Sequence, residues 1–140
     1  MKLLKFTFIL LLINSVANAD KNMNIGSKGN KNEVTRIIKV IMYDNYYEPS
    51  SFQIKAGETV KFEVENAGML VHEFNIANKM MHMEHQPEMM KMVENGILLA
   101  FSIDKEKMKK MAKIDKSMGH SHSNSVLLEP RQKGEIIWKF

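Results

Sequence analysis

The sequence predicts a single all-β domain, an antiparallel sandwich with a helical insertion. Three observations carry that prediction. Short runs of β-branched and aromatic residues recur every 8–12 residues or so, with turn signals between them. The 140-residue length, with 44% hydrophobic and 26% charged residues, fits one globular unit with a real core. Between roughly residues 80 and 116 the apolar spacing turns helical, and Met and His accumulate.

Residues 1–19 read as an address rather than as fold. Lys2 and Lys5 precede a short apolar core over residues 6–13, and Ala17-Asn18-Ala19 forms a small-x-small cleavage site. This segment is too short and wrongly flanked to be a membrane anchor, and no other stretch is long enough to span a bilayer. A secretory leader of this kind directs the mature chain to a bacterial periplasm. Residues 20–33 are polar, with Gly26 and Gly29 among Asn and Lys, and read as a flexible tether with order beginning at Glu33. The formal net charge of +4 is partly the leader's two lysines, so no nucleic-acid partner is expected. The absence of cysteine excludes disulfides, zinc–thiolate sites, iron–sulfur clusters and a thiol nucleophile within these residues.

The ordered part, residues 34–140, opens with strands. Residues 34–43 are rich in Ile and Val. Asp44-Asn45 and Glu48-Pro49-Ser50-Ser51 are turn chemistry, and Phe52-Gln53-Ile54 reads as a short strand. From Thr59 onward Val60, Phe62 and Val64 alternate with Lys61, Glu63 and Glu65, one face for the core and one for water. Asn66-Ala67-Gly68 ends that strand. Residues 71–76 form the next, with His72, Phe74 and Ile76 on its inward face and Glu73 and Asn75 on the other.

Pro87 suits a first helical turn, which predicts loop before it and helix after it, up to Asn95-Gly96. Ser102 is placed to cap a second helix running to about Lys116, with Met108, Met111 and Ala112 as its apolar stripe. Residues 126–129 and 135–140 are strand-like, the latter with Ile136, Trp138 and Phe140 in phase. The last strand pattern runs to Phe140 with no partner evident, so the domain reads as truncated. Its bare edge is a candidate for self-association by strand pairing, and low stability is expected of it.

Three groups carry candidate chemistry. His72 is either a satisfied core histidine or a metal ligand fixed by the sheet. Eight of the thirteen residues 80–92 are Met or His. Thioether with imidazole suits Cu(I), and helical spacing would pair His82 with His85 or His85 with Met89, with Met83 nearby. The alternative is that these Met side chains are flexible packing, which Met89 and Met92 resemble. His120-Ser121-His122 offers a His-x-His pair for Cu(II) or Zn(II), or is a solvated loop. No Ser/His/Asp arrangement or phosphate loop is present, so no enzyme is expected.

Met42-Tyr43-Asp44, Tyr47-Glu48-Pro49, Ile54 to Phe62, Asn66-Ala67-Gly68 and Val71-His72-Glu73-Phe74 together resemble the periplasmic cupredoxin (plastocyanin/azurin-like) copper proteins. Asn124-Ser125-Val126 and Gly134 to Trp138 match the later part of that pattern. The resemblance implies a Greek-key β-sandwich, copper as cofactor, and His72 as the first ligand of a type 1 copper site. The Met/His-rich insertion is similar to that of the subgroup linked to copper tolerance. In the family a final hairpin adds a Cys, a second His and a weak axial Met; these residues contain no Cys. The expected function is therefore periplasmic copper binding in homeostasis and tolerance. The metal would be held among His72, His82, Met83, His85, Met89, His120 and His122, and the partner would be another periplasmic copper or redox protein. The alternatives are a blue-copper electron carrier whose ligand hairpin lies outside these residues, and a metal-free module that binds by strand addition.

Overall fold

The computed structural model describes residues 25–140, so the leader reading falls outside the described residues. Two sheets face each other. The larger has the order β1(Ser27–Lys28)–β7(Lys133–Lys139)–β4(Thr59–Asn66)–β2(Arg36–Met42)–β3(Tyr47–Glu48). The smaller pairs β5(His72–Asn75) with β6(Ser125–Leu128), antiparallel. The predicted sandwich is present, but it is not wholly antiparallel: β2 and β4 run parallel, with Ile38 opposite Phe62 and Val40 opposite Val64.

The alternation in β4 explains its central place. Val60, Phe62 and Val64 are buried and meet Val40, Met42, Phe74, Leu128, Ile136 and Trp138 between the sheets. Their neighbours face outward, where Lys61 pairs with Glu135 at 3.0 Å and Glu63 at 3.2 Å. The sheets approach closely because position 134 is glycine: a Cβ there would lie 2.6 Å from Val126 Cγ2.

Asn66 closes one end of the sandwich. It is fully buried, its Nδ2 donates to Leu70 O and Leu128 O at 2.8 Å each, and its Oδ1 accepts from Gly68 N at 2.9 Å. One side chain thus ties β4 to β6 and to the turn that leads into β5.

Several expectations change. Order begins before Glu33: Ser27 and Lys28 pair with Lys139 and Trp138, and the Trp138 indole donates to Ile25 O at 2.8 Å. The last strand is therefore flanked on both sides, by β4 along its length and by β1 at its end. The expected bare edge is thus covered at residues 137–139, where the polar segment supplies the backbone partners. Phe52-Gln53-Ile54 joins no sheet, although Phe52 meets Phe62 at a tilt and Ile54 packs on the core. A short strand forms instead at Tyr47–Glu48.

The insertion holds α1(Lys79–Glu94) and α2(Lys105–Met111) over a second apolar cluster of Met92, Ile97 and Ile103. Loop before Pro87 is corrected to helix, with Pro87 inside α1. Asn78 starts that helix by accepting from Met81 N at 2.9 Å. The carbonyl that loses its donor to Pro87 belongs to Met83, whose residue is 61% exposed, so water can replace the missing N–H. Asp104, not Ser102, caps α2, accepting from Lys107 N at 2.9 Å, and the helix ends at Met111 rather than near Lys116. Among the described residues no helix is long and apolar enough to cross a membrane.

Replacing Asn66 with Ala leaves two carbonyls and an amide short of partners, so it is expected to cost about 3 kcal/mol in urea unfolding. A loss below about 1 kcal/mol would show that water re-satisfies them and that Asn66 does not join the sheets.

Candidate metal centre

Strand alternation in β5 sets the site. Phe74 enters the core, so Glu73, its neighbour in sequence, faces the helical insertion. There Glu73 Oε1 lies 3.1 Å from His85 Nε2 on α1 and 2.9 Å from His120 Nε2. His85 Nδ1 lies 3.0 Å from Glu88 Oε2, one helical turn on, and the same oxygen is 3.1 Å from His122 Nε2. The five side chains form one chain of contacts: His120, Glu73, His85, Glu88, His122. Ring centroids are 5.4 Å apart for His85 and His120, 4.9 Å for His85 and His122, and 5.4 Å for His120 and His122. His85 is buried and the side chain of His120 is little exposed; Glu88 and His122 are about one-third exposed and form the rim.

The loop that delivers the two histidines is held from behind. Asp115 accepts from Ser117 N at 3.0 Å and Ser117 Oγ at 2.7 Å, and Lys91 of α1 donates to it at 3.1 Å. These bonds start the 3-10 turn Lys116–Gly119 and pin it to α1. His120 follows in the left-handed conformation, φ 44° and ψ 51°, which turns its ring back toward Glu73. That backbone state is uncommon for a residue with a Cβ, and the surrounding contacts maintain it.

Burial pushes the Glu73 carboxyl up, but the His120 bond and the charges of His120 and His85 outweigh it, leaving Glu73 below the ordinary value. Burial, with the Glu73 charge behind it, raises the Tyr47 phenol, whose hydroxyl donates to Glu73 O at 2.6 Å. The Ser117 hydroxyl and Lys91 hold Asp115 down to about 2.

Of the residues singled out by sequence, the structure brings together His85, His120 and His122. It does not bring in the other four. His72 projects from the opposite side of β5 to Glu73 and places Nε2 2.9 Å from Asp44 Oδ1. His82 pairs with Gln86 at 3.1 Å on the exposed side of α1. Met83 is solvent-facing, and Met89 packs on the second apolar cluster. Expected pairings of His85 with His82 or Met89 are thus replaced by His85 with two carboxylates. Glu73 and Glu88 were missed as site residues. The signals were available: Glu73 sits on the strand face opposite His72, and Glu88 lies three residues after His85 on a helix.

Two triads have ligand atoms mutually within 4.8 Å: Glu73, His85 and His120, and His85, Glu88 and His122. Both offer imidazole nitrogen and carboxylate oxygen, the donor set of Cu(II) or Zn(II) rather than of Cu(I). Each histidine turns a ring nitrogen to a carboxylate oxygen, so nitrogen and oxygen donors converge at the same points. The rim opens on a cavity of about 200 Å³ that Met81 also lines. A type 1 copper centre does not fit these residues, since His72 offers one imidazole and no thiolate exists among them.

The carboxyl of Asp115 titrates lower folded than its ordinary 3.8, so its contribution to stability is full above that value and is lost as pH falls toward about 2. The metal-free Asp115→Asn variant is expected to melt below the parent at neutral pH and to converge on it across that acid window. A gap unchanged at the acid end would refute the role given to Asp115.

Comparison with known proteins agrees with the architecture. The Cupredoxin-like domain family matches residues 5–97. The chain is 39% identical over 114 residues to the copper-resistant cuproprotein CopI of Pseudomonas aeruginosa, covering 77% of this chain and 63% of that protein. It is 25% identical over 122 residues to the copper-resistant cuproprotein CopI of Rubrivivax gelatinosus, covering 86% and 60% respectively. The chain thus spans about three-fifths of the length of these curated relatives. No solved structure is significantly similar to it.

Proposed function

Since the chain belongs to the cupredoxin-like domain family and its relatives are copper-resistance proteins by name, we propose that it is a periplasmic copper-binding protein serving copper homeostasis and tolerance. The single observation that carries this reading is the convergence of His85, His120 and His122 on two carboxylates. Three separate parts of the chain supply these groups, and packing polar rings against acids without a ligand to gain would be a poor use of a part-buried site.

The role is one of binding rather than catalysis. An imidazole and carboxylate site sequesters Cu(II), the oxidised ion that a compartment outside the cytoplasm presents. Met80 and Met83 lie on the exposed side of α1, away from the histidine–carboxylate cluster. The periplasmic location is supported by the leader pattern of residues 1–19. Electron transfer would require a thiolate-bound copper, which these residues do not build.

Equilibrium dialysis against Cu(II) tests the assignment. The double variant His120→Ala/His122→Ala is expected to weaken binding by roughly 100-fold or more, because each triad loses a ligand. His72→Ala is expected to leave that affinity unchanged while lowering the melting temperature. Full-affinity binding by the double variant would overturn the site.

A further inference from the structure

Resting on the copper reading of this cluster, we propose that it is a dinuclear centre in which His85 bridges two Cu(II) ions through its two ring nitrogens. The two triads are not alternatives for one ion, because they share only His85 and use opposite edges of its ring. Nε2 faces Glu73 and His120, whereas Nδ1 faces Glu88 and His122. An imidazole presents one lone pair at each nitrogen, in directions that diverge, so a single ion cannot meet both sets. Each set supplies two nitrogens and one carboxylate oxygen, enough for three ligand positions with a fourth left for water.

The metal-free contacts already mark both positions. Each ring nitrogen of His85 faces its own carboxylate oxygen, Nε2 toward Glu73 and Nδ1 toward Glu88, and His120 and His122 each turn Nε2 to the same oxygens. A ring that bridges through both nitrogens does so as imidazolate, so its protons would pass to solvent as the ions bind. No oxidation or reduction is involved. The anionic bridge with Glu73 and Glu88 offsets three of the four positive charges, which lets two cations share a partly buried site. The sites are unequal: the inner one lies between the little-exposed rings of His85 and His120, and the outer one opens through His122 onto the 200 Å³ cavity.

The test is Cu(II) titration of the full chain, read by native mass spectrometry and by electron paramagnetic resonance. Two Cu(II) per chain are expected, with the resonance signal growing to one equivalent and shrinking on addition of the second, as the spins couple through imidazolate. His122→Ala changes only the exposed outer set, so folding is not at risk. It is expected to hold one Cu(II) with full signal, and Glu88→Gln is expected to bind the second ion more weakly. His85→Ala is expected to lose the coupling. One ion in the parent, two ions with full uncoupled signal, or two ions retained by His122→Ala would each overturn the bridge while leaving copper binding intact. No copper bound at all would overturn the bridge and the functional assignment together.

Discussion

The contact between Glu73 and His85 is the constraint on which the candidate centre depends. It joins the sheet to the helical insertion through polar groups rather than through apolar packing. Glu73 is held there by its neighbours in the strand. Phe74 is committed to the core against Phe62, and the 5.3 Å contact between those rings fixes which way the strand faces. A slip of one residue would bury Glu73 and expose Phe74, so the core energetics that set the register also aim the carboxylate. His85 in turn is aimed by Met92, fully buried two turns further along α1, which anchors the helix on its own cluster. The centre therefore draws its geometry from two hydrophobic clusters that were formed for other reasons.

That dependence explains what could be read from the sequence and what could not. The period-2 pattern of β4 and of the final strand is strong because both lie in a sheet with one wet face, and the structure places both as the pattern indicates. His85, His120 and His122 stood out as chemistry by residue type. Their meeting could not be read, because it depends on a 3-10 turn held by Asp115 and on a left-handed residue at His120, neither of which leaves a periodic trace. Carboxylates are common on surfaces, so Glu73 and Glu88 did not stand out by residue type, and their strand-face and helix-turn positions gained meaning only once helix and strand were set face to face. The helical start was misplaced for a similar reason. Pro87 is a strong local signal, but Asn78 capped the helix earlier and solvent at Met83 absorbed the lost bond. The polar segment before residue 33 read as a tether because hydrogen bonding between backbones, as in β1 with β7, needs no apolar side chains.

Methionine density misled in an instructive way. Thirteen methionines in this chain suggested a soft-metal surface. Met42 and Met92 are instead fully buried, and Met89, Met108, Met111 and Met118 pack around the second cluster. A short two-helix insertion has few turns with which to cover its share of the sheet, and unbranched side chains adapt to such irregular space. Among the described residues the exposed thioethers are Met80, Met83 and Met90 on α1 and Met69 in the turn before β5.

Strand β5 presents two histidine–carboxylate arrangements with different capacities, and the difference follows from hydrogen bonding alone. On one side His72 meets Asp44 through Nε2 only. Asp44 also accepts from Met69 N at 2.8 Å and Leu70 N at 3.1 Å, and the His72 bond is the first of the contacts that hold its carboxyl below the ordinary range. One oxygen, Asp44 Oδ1, orders the turn before β5, and the His72 ring meets it through a single nitrogen. On the other side His85 meets a carboxylate at each ring nitrogen, and His120 and His122 converge on the same two carboxylate oxygens. Asp44 is thus used in holding the backbone, whereas Glu73 and Glu88 gather nitrogen donors from separate segments, and only the second arrangement reaches the donor number that a metal ion needs.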